Sequence, residues 1–183
     1  MKKIPTIFDR DWDGDRSRVV NVWHKDCAWV RDGEGVATRK IDGTSCLIRD
    51  GKLFKRREIK KGQTTPPDFE LATHDAETGK AMGWVPVGDG PEDARHREAF
   101  DRLVARRDGT YELIGPSVQG NPEHAEAHTL APHAECEILD APREFEALAS
   151  WLAGKDIEGL VWHHADGRMA KIKLRDFGLK RGA

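Results

Sequence analysis

Along much of this chain apolar and polar residues alternate with a period of two, the mark of strands whose two faces meet different surroundings. The alternation predicts strands over residues 36–40, 44–48 and 52–56, the last two joined by Asp50-Gly51, a dipeptide suited to a two-residue hairpin turn. Further strands are expected at 69–74, 83–87, 111–114 and 135–139, and a final pair, 159–163 and 169–174, is joined across Asp166-Gly167. Two stretches instead repeat at helical spacing. The first begins near Pro91, sets Ala99, Phe100, Leu103 and Val104 on one face with Glu98 and Arg102 at i,i+4, and ends before Gly109. The second follows Asp140 and Pro142, places Phe145, Leu148, Ala149 and Leu152 together and stops at Gly154. Many antiparallel-looking strands with few helices imply an α+β fold of packed antiparallel sheets, read as one domain over residues 1–183.

The 183 residues suffice for a core without disulfides or a structural metal, and 38% hydrophobic content with six Trp can fill it. A charged content of 34% argues against burial in a membrane. Asp9, Arg10 and Asp11 arrive before any apolar run forms, so neither a signal peptide nor a spanning helix is expected, and the cytoplasm is the default compartment. Cys27, Cys46 and Cys136 are far apart and read as packing residues rather than a disulfide or zinc framework. A net charge of −2 excludes a globally basic nucleic-acid binder but leaves two local basic patches. One runs through Lys52, Lys55, Arg56, Arg57, Lys60 and Lys61, and the other gathers Lys171, Lys173, Arg175, Lys180 and Arg181.

The sharpest local pattern is Lys40-Ile41-Asp42-Gly43-Thr44. Four specified residue types in five positions arise by chance only about once in a thousand chains of this length, although Asp-Gly also makes ordinary solvated turns. A lysine attacks phosphorus only as the neutral amine, so a nucleophilic lysine needs desolvation or neighbouring positive charge. Lys171 and Lys173, two apart in a predicted strand, share a face and could supply that charge while holding phosphates. Phosphoryl transfer also calls for Mg²⁺ or Mn²⁺, for which Glu158 is the candidate carboxylate. The remaining histidines, His163 and His164 included, lack metal-ligand spacing and are not expected to bind zinc.

Taken in order, Lys40-Ile-Asp-Gly-Thr44, Phe54-Lys-Arg-Arg57, Tyr111-Glu112-Leu-Ile-Gly115, Glu158-Gly-Leu-Val161 and Lys171-Ile-Lys173 resemble the covalent nucleotidyltransferase superfamily of ATP-dependent RNA and DNA ligases and mRNA capping enzymes. The surroundings Gly33-Glu-Gly-Val-Ala-Thr-Arg-Lys40, Gly83-Trp-Val-Pro-Val87, Gly115-Pro-Ser-Val-Gln-Gly-Asn-Pro122 and Pro132-His133 look most like a compact RNA ligase family with bacterial, phage and vertebrate 5′-to-3′ members. The likeness runs from about residue 20 to residue 179. It implies the nucleotidyltransferase fold and a Lys40 that attacks the α-phosphorus of ATP, releases pyrophosphate and holds AMP for transfer to an RNA 5′-phosphate, which a 3′-hydroxyl then joins. By the same resemblance Asp42 and Gly43 shape the neighbouring loop, and one of Arg56 and Arg57 touches the AMP ribose or the RNA phosphate end. Glu112 accepts from a ribose hydroxyl, Glu158 binds the metal, and Lys171 and Lys173 contact the α-phosphate.

The departures matter as well. Arg39, counted with the nucleotide-binding positions, stands where many ligases carry glutamate, and His133 is one candidate for stacking on adenine. Ser45 replaces the arginine usual in DNA ligases and capping enzymes, which favours the RNA branch, and nothing after Lys173 is long enough for their appended oligonucleotide-binding domain. Two other readings stay open: a nucleotidyltransferase with a DNA, capping or protein acceptor, and a noncatalytic nucleotide- or RNA-binding module. The expected partner is RNA with 5′-phosphate and 3′-hydroxyl ends, with room for an end-healing kinase or phosphatase beside it and no membrane.

Overall fold

A computed structural model describes residues 4–75 and 79–182. The chain divides into two compact units, one formed by Asp42–Glu135 and the other by Ile4–Ile41 with Cys136–Ala183. Both are antiparallel sheets with a few short helices, an α+β architecture.

The discontinuous unit is built on a three-stranded sheet of order β11-β10-β3, from strands β3 (Val36–Lys40), β10 (Gly159–His163) and β11 (Met169–Lys173). A two-stranded ribbon, β1 (Phe8–Arg10) with β2 (Val19–Trp23), and helices α1 (Ala28–Arg31) and α3 (Phe145–Leu152) complete it. Strand alternation turns Ala37, Leu160, Trp162, Ala170 and Ile172 to one face, where they join Ile7, Phe8, Leu148 and Leu152 in a core. Each large apolar side chain so covered contributes about 1.5–3 kcal/mol. Phe8 anchors the ribbon, its ring centroid 4.6 Å from Trp23 and 5.0 Å from Phe145.

The inserted unit carries a six-stranded sheet of order β6-β7-β5-β4-β8-β9. Its strands are β4 (Thr44–Arg49), β5 (Lys52–Ile59), β6 (Glu70–Asp75), β7 (Lys80–Pro86), β8 (Gly109–Ile114) and β9 (Thr129–Pro132). Helix α2 (Ala94–Asp101) follows a 3-10 turn at Pro91–Asp93, and Cys46, Ile48, Leu53, Tyr111, Leu113 and Ala99 form the core of this unit. Asp50 and Gly51 both have positive φ, 52° and 69°, as the two-residue turn between β4 and β5 demands.

Two expectations need correction. Residues 135–139 are not a strand: Glu135 closes a 3-10 turn begun at His133, and only Ile138 remains to bridge Thr38. Ile138 is 72% exposed, so no buried face holds a longer pairing. Val104 is not core either, because α2 stops at Asp101 and leaves Val104 fully exposed. Beyond Leu103 the next positions of the apolar stripe are Arg106 and Arg107, so another turn would have nothing to pack. The expected hairpin across Asp166-Gly167 is present: His164 N–H donates to Arg168 O at 2.9 Å, and Gly167 takes a φ of 90° in the loop.

Candidate active site

In the three-stranded sheet Gly159 pairs with Lys173 on one side and with Lys40 on the other, while Val161 pairs with Lys171 and Thr38. Directly opposed residues share a face, so Lys40, Lys171 and Lys173 all project from the face opposite the core. Gly159 must lack a side chain there, since a Cβ would meet Ile172 O at 2.0 Å and Lys173 Cα at 2.7 Å. The lysines on either side thus flank a gap, and Glu158, one residue before β10, fills it. Its Oε2 accepts from Lys40 Nζ at 2.5 Å, and its Oε1 pairs with Lys173 Nζ. Lys40 Nζ also donates to Ile41 O at 3.3 Å. The Lys40 side chain is only 20% exposed, so its amine is set in a charged, largely covered pocket.

Two lysines pair with one carboxylate, and a third stands on the same strand face. Burial alone would raise the Glu158 pKa, but the charge of Lys40 and hydrogen bonds from Lys173 and Lys40 outweigh it and hold the carboxylate ionised. Burial, reinforced by the charges of Lys173 and Lys40, pushes the Lys171 ammonium down to about 8. A cluster with surplus positive charge in covered surroundings favours an anion. On the same face Thr38 Oγ1 lies 3.0 Å from His163 Nε2, and its carrier strand turns Arg39 the other way, opposite Leu160.

The other predicted nucleotide-binding residues lie on the inserted unit. Glu112 on β8 faces Ser45 on β4 and is buried, and its Oε2 sits 3.0 Å from His133 Nε2. The other ring nitrogen of His133 is 2.9 Å from Thr110 Oγ1, two residues before Glu112 on the same face. Arg56 is half-buried with its guanidinium 5.8 Å over the Trp84 ring; burial lowers its pKa, and the Glu112 charge counters that fall. Arg57 alternates to the opposite face and is exposed, so the two arginines are separated by the strand itself. Asp42 N–H donates to Glu123 Oε1 at 3.0 Å. Gly43 serves a close approach, for a Cβ would fall 2.2 Å from Leu113 O and 2.9 Å from Glu112 Cγ. Ser45 Oγ is buried with no hydrogen-bond partner among the described residues, a polar atom on the same face as Glu112.

Sequence reasoning missed Thr110, which turns His133 toward Glu112, and Thr38. Both stand two residues from a named site residue, so strand period was the available signal. It also left His164 without partners, whereas Glu34 Oε2 lies 2.5 Å from Nε2 and Asp166 Oδ1 2.8 Å from Nδ1. Among the described residues no group of three His, Cys, Asp or Glu is arranged to hold a metal, and no helix is long and apolar enough to cross a membrane.

A family profile described as RNA ligase 1 matches residues 91–182. That stretch contains Glu112, His133, Glu158, Lys171 and Lys173, while Lys40 lies outside it. The chain is 35% identical to RNA ligase 1 of Rattus norvegicus over 79% of its own length and 67% of that protein. Against RNA ligase 1 of Mus musculus the identity is 25% over the same shares. It is 40% identical to RNA ligase 1 of Danio rerio over 39% of its length, which spans 25% of that relative.

Proposed function

The chain belongs to the RNA ligase 1 family, and from that membership together with the Lys40–Glu158–Lys173 cluster we propose that it is an ATP-dependent RNA ligase acting through lysyl-AMP. In this reading the two units make up one adenylation domain. The observation that carries the reading is a covered lysine held at 2.5 Å by a carboxylate inside a surplus of positive charge.

In the first step Lys40 Nζ gives up a proton, and Glu158 Oε2 is the acceptor in reach. The nitrogen lone pair forms a bond to the α-phosphorus of ATP. The bond from that phosphorus to the oxygen bridging the β-phosphate breaks, and pyrophosphate leaves with the electron pair. Lys171 and Lys173 offset the charge gathering on the phosphate oxygens. An oxygen of an RNA 5′-phosphate then attacks the AMP phosphorus and frees Lys40. Finally a 3′-hydroxyl oxygen bonds to the 5′-phosphorus as its proton passes to solvent, the bond from that phosphorus to the oxygen bridging AMP breaks, and AMP leaves with the electron pair, so that a phosphodiester remains. Glu112, held by His133, accepts from a ribose hydroxyl, and Arg56, the covered arginine of its pair, contacts the ribose or the RNA phosphate end.

Glu158 offers a hard oxygen donor, but both its oxygens are on lysines. A single carboxylate suits Mg²⁺ or Mn²⁺ carried on the triphosphate, since such ions commonly take one or two carboxylates and complete their shell with phosphates and water. Bound there, the ion supplies neutralisation of phosphate charge.

The test is to incubate the purified protein with α-labelled ATP or GTP and Mg²⁺ or Mn²⁺ and look for label that survives denaturing electrophoresis. ATP labels the protein, Lys40→Ala removes the label, and 5′-phosphorylated RNA discharges it into a joined or circular product. An unlabelled wild type would overturn the lysyl-AMP reading, and discharge by DNA alone would overturn the RNA assignment.

A further inference from the structure

Strand β11 lies at the edge of its sheet, and edge strands are prone to fray and slip. The segment before β1 covers that edge. Ile7 N–H donates to Lys171 O at 2.9 Å and Lys171 N–H donates to Pro5 O at 2.9 Å, a parallel bridge centred on Thr6. Farther along, Arg10 Nη1 lies 2.8 Å from Asp176 Oδ1, and Asp176 Oδ2 accepts the Lys173 N–H at 2.9 Å. Arg10 is itself fixed, donating to Ser17 O at 2.9 Å and to Thr6 Oγ1 at 3.4 Å.

Asp176 is 1% exposed, and a carboxylate that deep is tolerated only when its oxygens are paired. One oxygen takes a guanidinium, and the other takes the backbone of a lysine whose side chain holds Glu158. The two grips act on residues two apart in one strand, the two that present ammonium groups on the Glu158 side.

We infer that residues 5–10 and Asp176 form a positioning clamp: Pro5 and Ile7 hold the backbone of Lys171, and the Arg10–Asp176 pair holds that of Lys173, so that both ammonium groups meet the phosphates in register. The inference rests on the ligase reading for its consequence, because a displacement of about 1 Å at a reacting centre can reduce rate about a hundredfold. Arg10 and Asp176 are positioning residues, acting through Lys173.

A double-mutant cycle on the full chain tests this. Rates of lysyl-AMP formation at saturating α-labelled ATP are measured for Asp176→Asn, Lys173→Ala and the double variant. Asparagine keeps an oxygen for the Lys173 N–H but not the charge that Arg10 pairs with. Asp176→Asn is expected to slow labelling about 10- to 100-fold with the KM for ATP within about threefold, and to add less than about twofold once Lys173 is alanine. Losses that multiply would overturn the clamp. If Asp176→Asn does not fold, Arg10→Gln carries the test, since the Arg10 side chain is 29% exposed. Its Lys173 amide should exchange with solvent at least about tenfold faster while Leu160 stays protected, and Arg10→Lys should recover part of that protection. Unchanged Lys173 exchange would overturn the clamp. Exchange needs no activity, so an unlabelled wild type with the expected exchange pattern leaves the clamp standing and removes only the ligase reading.

Discussion

Asp93, which is buried, and Glu158, which is partly buried, each hold a lysine at 2.5 Å, but the charge around them differs. Asp93 pairs with Lys55 and accepts the Gly88 N–H at 2.9 Å. Its neighbour His96 has a pKa lowered by burial, which the charge of Asp93 only partly offsets, so one cation faces one anion. That balanced pair fixes the start of α2 to β5. Glu158 is touched by two lysines and lies near a third, Lys171, whose charge Asp176 and Glu158 only partly offset. A covered carboxylate and a short ion pair are common to both places. What separates a strut from a site for an anionic substrate is the surplus of charge.

The same exchange at both lysines separates the two pairs most strongly. Arginine keeps the charge but stays protonated and is no nucleophile, so Lys40→Arg should reduce labelling from α-labelled ATP by at least about a thousandfold while the protein stays folded. Lys55→Arg should leave labelling within about twofold. If both variants label equally, the distinction between the pairs fails.

Next in size is the loss of the balanced carboxylate. Asp93→Asn strands the Lys55 charge in a covered place and should destabilise the fold by about 3 kcal/mol in urea titration, with labelling per folded molecule retained. A change below about 1 kcal/mol would show that the strut carries little.

The smallest effect concerns Lys171, whose pKa falls from 10.5 to about 8. Because the folded protein holds this proton less tightly than the unfolded chain does, stability rises with pH between about 8 and 10.5, and the full penalty is present below 8. Lys171→Met should therefore raise Tm by about 5 °C at pH 7 and lose that advantage as pH approaches 10.5, as read by calorimetry at several pH values. A gain that grows with pH would contradict the assigned shift.

Much of the fold was legible because strands announce themselves through period two and turns through Asp-Gly. Residues 36–40 and 159–163 have the expected bounds, and the Asp50-Gly51 turn has the expected backbone. Strand β9 was missed since Thr129–Pro132 is a short edge segment ending in proline, with no alternation to read. Strands β1 and β2 escaped because their burial depends on Phe145 and Phe177, which the chain supplies more than a hundred residues later.

Residue order alone places a lysine before Asp-Gly, a glutamate before Gly-Leu-Val, and two lysines on one strand face. Local chemistry and strand period reach that far. That Gly159 stands between Lys40 and Lys173, that Glu158 spans the gap and that Arg39 turns away follow from the assembled sheet. Those outcomes depend on inter-strand register and on what each side chain meets across more than a hundred residues of chain, which no local pattern encodes.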